Sequence, residues 1–262
     1  MSQRHSPGLR LRISAGRGFA LFAVLALLAA ACGASAAGDG DADAACDAFV
    51  AIDEASFAED PEGVIAALED FVAAAPDDVA SAVEPLIPIF DADPEAAEES
   101  DELAVAEAAS DGWAWDNCAD SRFEAEAHNF AFTGIPSEVD AGRVAFSLTN
   151  HTQTGEFHEA LVLRKNDDAT GAPSELMLEG IGDVVSIEST FGSFEHFALL
   201  GGSLVGPDDE DVFVVDLDPG EYIIVCMLPV NSPELLEQYF SGEEVDSSYH
   251  ANQGMFVELI VR

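Results

Sequence analysis

Between Cys46 and Cys118 apolar residues recur every three or four positions, the spacing of a helix that buries one face. Val64, Leu68, Phe71 and Val72 follow Asp60-Pro61, which offers a side-chain cap and a proline at the first helical position. Val79, Val83, Leu86 and Phe90 repeat the pattern behind Pro76-Asp77-Asp78. A further run extends from about Pro94 through Leu103, Val105 and Ala109 to Trp113, and an earlier one spans Cys46 to about Ala58. The pattern predicts four short antiparallel helices forming a small bundle over 46–118. Its apolar positions are mostly alanine and valine, a thin core that gains from a covalent staple. Its carboxylates fall mainly on exposed faces and no oxygen-rich loop has EF-hand spacing, so a solvated acidic surface is expected rather than a calcium site.

From Phe123 onward the period changes. Phe123-Glu-Ala-Glu-Ala-His-Asn-Phe-Ala-Phe132 alternates as a strand does, and short apolar or alternating runs follow at Arg143–Asn150, Glu159–Arg164, Asp211–Leu217, Glu221–Met227 and Met255–Val261. Phe194–Leu200 fits a further strand or an edge segment, while Ser174 to about Val185 and Pro233–Phe240 predict short helices set into loops. Many short strands with Pro, Gly, Asp and Asn between them indicate a β-sandwich over 119–262. The fold class expected is α+β in two parts, an acidic helical bundle and an all-β sandwich with helical insertions.

The first 31 residues stand apart. Arg4, Arg10, Arg12 and Arg17 precede the apolar run Phe19–Ala31, which is too short for an ordinary spanning helix and reads as an export signal. Leu28-Ala-Ala-Ala-Cys32 resembles the lipobox of bacterial lipoproteins, which implies acylation of Cys32, anchoring at the extracytoplasmic face of the cell membrane, and a flexible tether over 32–45. Plain secretion after cleavage near Ala31 is the alternative. Removing 1–31 takes four of the nine basic residues and none of the 51 acids, leaving a net charge of −46. Phosphate is repelled by such a surface, which excludes nucleic acid and anionic lipid as partners. Spread along the whole chain, the acids fit adaptation to salt; the other reading is steering of a cation or a basic redox partner.

In an exported protein Cys46 and Cys118, which bracket the helical region, are expected to pair. Closing a loop of that length adds on the order of 4 kcal/mol in the chain-entropy treatment. Cys226 is then left over, either a buried inert thiol or a metal ligand.

The last quarter of the chain carries the candidate chemistry. Leu217-Asp-Pro-Gly-Glu-Tyr-Ile-Ile-Val-Cys226 ends a strand on a cysteine, and His250-x4-Met255 precedes the closing strand. Together with Phe146-Ser-Leu-Thr-Asn150 and Phe157-His158-Glu159, this order resembles the cupredoxins, the blue-copper sandwiches, over about residues 123–262. The resemblance implies a Greek-key sandwich holding type 1 copper, with His158 and His250 as imidazole ligands, Cys226 as thiolate and Met255 as a weak axial thioether. It implies one-electron transfer or copper handling at the cell surface. One departure is large: 23 residues separate Cys226 from His250, where cupredoxins have a handful. Closure entropy tolerates this, at about 0.6 kcal/mol per doubling of length, provided the insertion folds back.

Each of the four side chains has a plainer role open to it: core packing for Cys226 and Met255, surface positions for His158 and His250. The competing function is therefore a metal-free cupredoxin-like binding module. His128, His151 and His196 are expected to be ordinary surface histidines, though His151 lies seven residues from His158. No G-x-S-x-G elbow, H-E-x-x-H, P-loop or G-x-G-x-x-G occurs, and a Cys226–His250 nucleophile pair lacks an evident oxyanion donor, so no enzymatic activity is expected.

Overall fold

Side-chain caps and prolines set the helix boundaries of the first half. Asp41 accepts the Ala44 N–H and opens α1 (Ala42–Phe57); Asp60 accepts that of Gly63 and opens α2 (Pro61–Ala74) at its first-position proline. The computed structural model describes residues 40–262 apart from 59, 99 and 183, so the expected export signal and the acylation site Cys32 lie outside the described residues. Because Asp41 supplies a cap, α1 begins inside the stretch expected as a tether. The third expected helix is three pieces: α3 (Asp77–Val83), a 3-10 turn at Glu84–Leu86, and α4 (Ile87–Ala92). Pro85 and Pro88 interrupt it, since proline has no N–H to return to the preceding turn. The fourth divides into α5 (Pro94–Glu98) and α6 (Asp101–Asn117), the latter capped by the Ser100 hydroxyl.

The Cys46–Cys118 disulfide ties α1 to the end of α6, as expected. Phe71 sits between Phe49 and Trp113, with ring centroids 6.1 and 5.6 Å away, and so joins α1, α2 and α6.

The second half consists of β1 (Ser121–His128), β2 (Ala131–Thr133), β3 (Glu138–Val139), β4 (Gly142–Asn150), β5 (His158–Lys165), β6 (Phe197–Val205), β7 (Glu210–Leu217), β8 (Gly220–Val225) and β9 (Phe256–Val261). Three helices interrupt it: α7 (Pro173–Gly180), α8 (Ile187–Gly192) and α9 (Ser232–Phe240). Two sheets face each other, one ordered β2-β1-β4-β7 and the other β3-β9-β8-β5-β6. β1 runs parallel to β4 and β3 parallel to β9; the remaining pairs are antiparallel. The alternating run expected as one strand to Phe132 reverses at Asn129, which takes a left-handed φ of 46°, and becomes the β1–β2 hairpin. Missing from the expected set were β3, two residues long, and α8, whose single turn and a half carries no period.

Residue alternation explains how the halves join. On β4 and β7, Val144, Phe146, Leu148, Phe213 and Val215 fill the sandwich, while the intervening Ala145 and Val214 belong to the helical core. Both faces of this part of the sheet are therefore buried, which accounts for its unbroken apolar runs. No helix among the described residues is long and apolar enough to cross a membrane.

Candidate metal centre

Three strands of one sheet bring the candidate ligands to a common end. β5 begins at His158, its antiparallel neighbour β8 finishes one residue before Cys226, and β9 begins one residue after Met255. The approach to β5 is held by Asn150, whose side-chain amide donates to the carbonyls of Glu156 (2.9 Å) and Val205 (3.2 Å) while its oxygen accepts the Thr152 N–H (2.9 Å).

The 23-residue excursion between Cys226 and His250 is clamped at its base. Cys226 N–H donates to the Met255 carbonyl (3.1 Å), His250 N–H to that of Leu228 (2.8 Å), and Val230 N–H to that of Ser248 (2.8 Å). Pro229 and Tyr249 form an antiparallel bridge between these contacts. The excursion is thus a hairpin extension topped by α9, and it returns His250 to the cysteine. Its helix is anchored in turn, because the Glu156 carboxylate accepts the N–H groups of Asn231 (3.0 Å) and Ser232 (2.8 Å) and the Ser232 hydroxyl (2.7 Å). Two tyrosines of the excursion meet α8: Tyr239 hydroxyl lies 2.6 Å from Thr190 Oγ1, and Tyr249 hydroxyl contacts Thr190 Oγ1 (3.2 Å) and Ser189 Oγ.

His158, Cys226 and His250 converge. The two Nδ1 atoms are 3.3 Å apart, Cys226 Sγ is 3.2 Å from His250 Nδ1, and all three residues are fully buried. Among the described residues this is the only group of three such side chains with ligand atoms so close. Bonds of roughly 2.0–2.3 Å in a trigonal plane would place donors about 3.5–3.7 Å apart, so the spacing suits one ion with little adjustment. A thiol and two imidazoles are the donor set that suits copper in both oxidation states. Met255 is buried beside them through its backbone bond to Cys226.

Burial controls the protonation of the centre. It depresses His158 to about 3, with the neighbouring His250 adding to the effect, and it depresses His250 to about 4. Both imidazoles are therefore neutral at pH 7, with a lone pair to offer. Burial also pushes the Cys226 thiol up, and Glu159 pushes it further. Against this, the Glu159 N–H donates to Sγ at 3.4 Å, a contact that favours the thiolate once a cation compensates its charge.

Several residues around the centre escaped sequence reasoning. Glu159 is buried with its carboxyl accepting the Met227 N–H at 2.8 Å, and burial raises it to about 7. The Glu156 carboxylate stands 3.5 Å from His250 Nε2. Phe130, from the β1–β2 turn, sets its ring edge-on to His250 at 4.9 Å. A carboxylate opening the apolar run Glu159–Leu163 was the one available signal; Phe130 and Glu156 carried none. Of the remaining histidines, His128 and His151 stack at 5.3 Å on the surface around Glu126, and His196 is exposed.

No protein-family model matches the sequence, and no curated protein matches it. Solved structures resemble the C-terminal half. Auracyanin A, a "blue" copper protein from the green thermophilic photosynthetic bacterium Chloroflexus aurantiacus, is 13% identical over 54% of this chain and 98% of its own, with a TM-score of 0.29. An azurin from the methylotroph Methylomonas sp. strain J is 11% identical over 55% and 99%, with a TM-score of 0.33. A Cu-containing nitrite reductase from Thermus scotoductus SA-01 is 13% identical over 55% of this chain and 31% of its own, with a TM-score of 0.27. At these identities the ligand assignment stands on the side chains of this chain alone.

Proposed function

We propose that the chain is a copper-binding protein that transfers single electrons or handles copper at the cell surface, with Cys32 as its lipid anchor. The observation that carries this reading is the convergence of His158, Cys226 and His250 across 92 residues of sequence in a fully buried pocket. There the two neutral imidazoles and the Cys226 thiolate would hold the ion, with the Met255 thioether as a further soft donor. Copper bound there would supply a one-electron couple. The chain's own residues do the rest: Cys226 gives up its proton on loading, Glu159 N–H steadies the sulfur charge, and Phe130 keeps water from His250. Neighbouring strands and the clamped base of the excursion fix the donors in advance, so little reorganisation accompanies electron transfer. Four protein donors leave no position for a substrate, which favours electron transfer over catalysis.

The test is the visible spectrum of the protein loaded with Cu(II). An intense thiolate-to-copper band is expected in the wild type and none in Cys226→Ser, while His151→Ala keeps it. Wild-type protein without such a band would refute blue-copper chemistry and leave a metal-free binding module.

A further inference from the structure

Away from that centre, four carboxyl groups are buried where the helical region meets the sandwich. Asp53 comes from α1, Glu107 and Asp111 from successive turns of α6, and Asp211 from β7; none is more than 7% exposed. Both oxygens of Asp53 and Oε1 of Glu107 have no hydrogen-bond partner, while Asp211 has at most the Ser203 hydroxyl and the Val212 N–H to relieve its charge. Asp53 and Glu107 edge a cavity of about 40 Å³ whose other walls include Phe49, Leu68, Phe71 and Leu103. Apolar surroundings of this kind give a carboxylate nothing to replace water.

The charged neighbours add no relief. Glu54 on α1 and Glu210 on β7 are further anions, and Ser203 on β6 and Ser110 on α6 offer only hydroxyls. Arg143 of β4 is engaged with Asp47 and Asp216 instead. Positive charge must come from outside the chain, as a metal ion or as protons. The geometry favours protons, because no three of the four bring an oxygen each into the sphere of one ion.

We propose that Asp53, Glu107, Asp111 and Asp211 form a proton-held latch, which keeps the helical region on the sandwich while the carboxyls are neutral and loosens it as they ionise. Burial first, and then mutual repulsion centred on Asp211, raises Asp53, Glu107 and Asp111 well above the usual carboxylate range; burial raises Asp211 to about 8. The sign follows. In an opened or unfolded chain these groups lose their protons near pH 4, whereas the closed form keeps them. Closure therefore weakens as pH rises from about 4, tenfold per pH unit for each retained proton, and the Asp211 contribution levels off above about 8. The junction is a pH-sensitive joint independent of whether copper binds.

The test compares the urea-unfolding constant of the wild type and Asp211→Asn from pH 5 to 8, each with a chelator or with added Ca²⁺. The amide keeps the shape without the charge, so the variant should lose a pH dependence of about tenfold per unit relative to the wild type. Groups at the metal centre titrate alike in both proteins and cancel from the difference. Glu107→Gln provides the same comparison should Asp211→Asn fold poorly. Equal pH slopes in wild type and variants would overturn the latch. So would stabilisation of the wild type by Ca²⁺ that the variants lack, which would make the cluster a cation site.

Discussion

Tyr249 precedes the candidate ligand His250, and its hydroxyl is one of two that tie the long excursion to α8. Replacing it by phenylalanine keeps the buried ring and removes contacts with Ser189 Oγ, Thr190 Oγ1 (3.2 Å), Ser186 N–H (3.3 Å) and the Ser186 carbonyl (3.1 Å). The partners are not abandoned. Ser186 N–H still meets Ser189 Oγ at 3.0 Å, Ser189 Oγ donates to the Val184 carbonyl at 2.7 Å, and Thr190 Oγ1 keeps Tyr239. With no polar group orphaned, Tyr249→Phe should cost about 1 kcal/mol, the net value of one hydrogen bond. Thr190→Val is different, because it removes a common partner of both tyrosines and strands the Tyr239 hydroxyl with only the Met227 carbonyl at 3.4 Å. Its cost should reach about 2–3 kcal/mol, the penalty for an unsatisfied buried group. Urea and thermal unfolding of the metal-free protein measure both, with roughly 2–4 °C of Tm expected per kcal/mol in a chain of this size. Bound metal would mask the difference and is left out. If Thr190→Val proves no more costly than Tyr249→Phe, the tie to α8 does not hold the excursion.

Two further outcomes follow from contacts elsewhere in the chain. Replacing Cys46 and Cys118 by alanine should lower stability by on the order of 4 kcal/mol in urea unfolding, since the bridge spans 72 residues of a thin helical region. Phe130→Ala should uncover the His250 ring edge, so that a chelator strips copper several-fold faster while the position of the visible band is retained; an unchanged stripping rate would show that Phe130 does not gate the site.

The helices and strands were legible because their apolar periods are strong and local. Asp60-Pro61 marked the true start of α2, and the run through Ile223, Ile224 and Val225 marked the strand that delivers Cys226. The candidate donors were legible as residue types too, because His, Cys and Met carry their chemistry in the side chain. What no local pattern contains is where the excursion after Cys226 goes. That depends on backbone pairing between residues 226–230 and 248–255, on the Glu156 carboxylate at the start of α9, and on α8 meeting two tyrosines, all contacts between segments distant in sequence. The buried acids make the same point. Asp53, Glu107, Asp111 and Asp211 look like any of 51 acidic residues until α1, α6 and β7 pack together. A residue's chemistry is written in its side chain, but its exposure to water and its partners are set only when separate elements close over it, and burial is what shifts both the cysteine and the carboxyls from their ordinary behaviour.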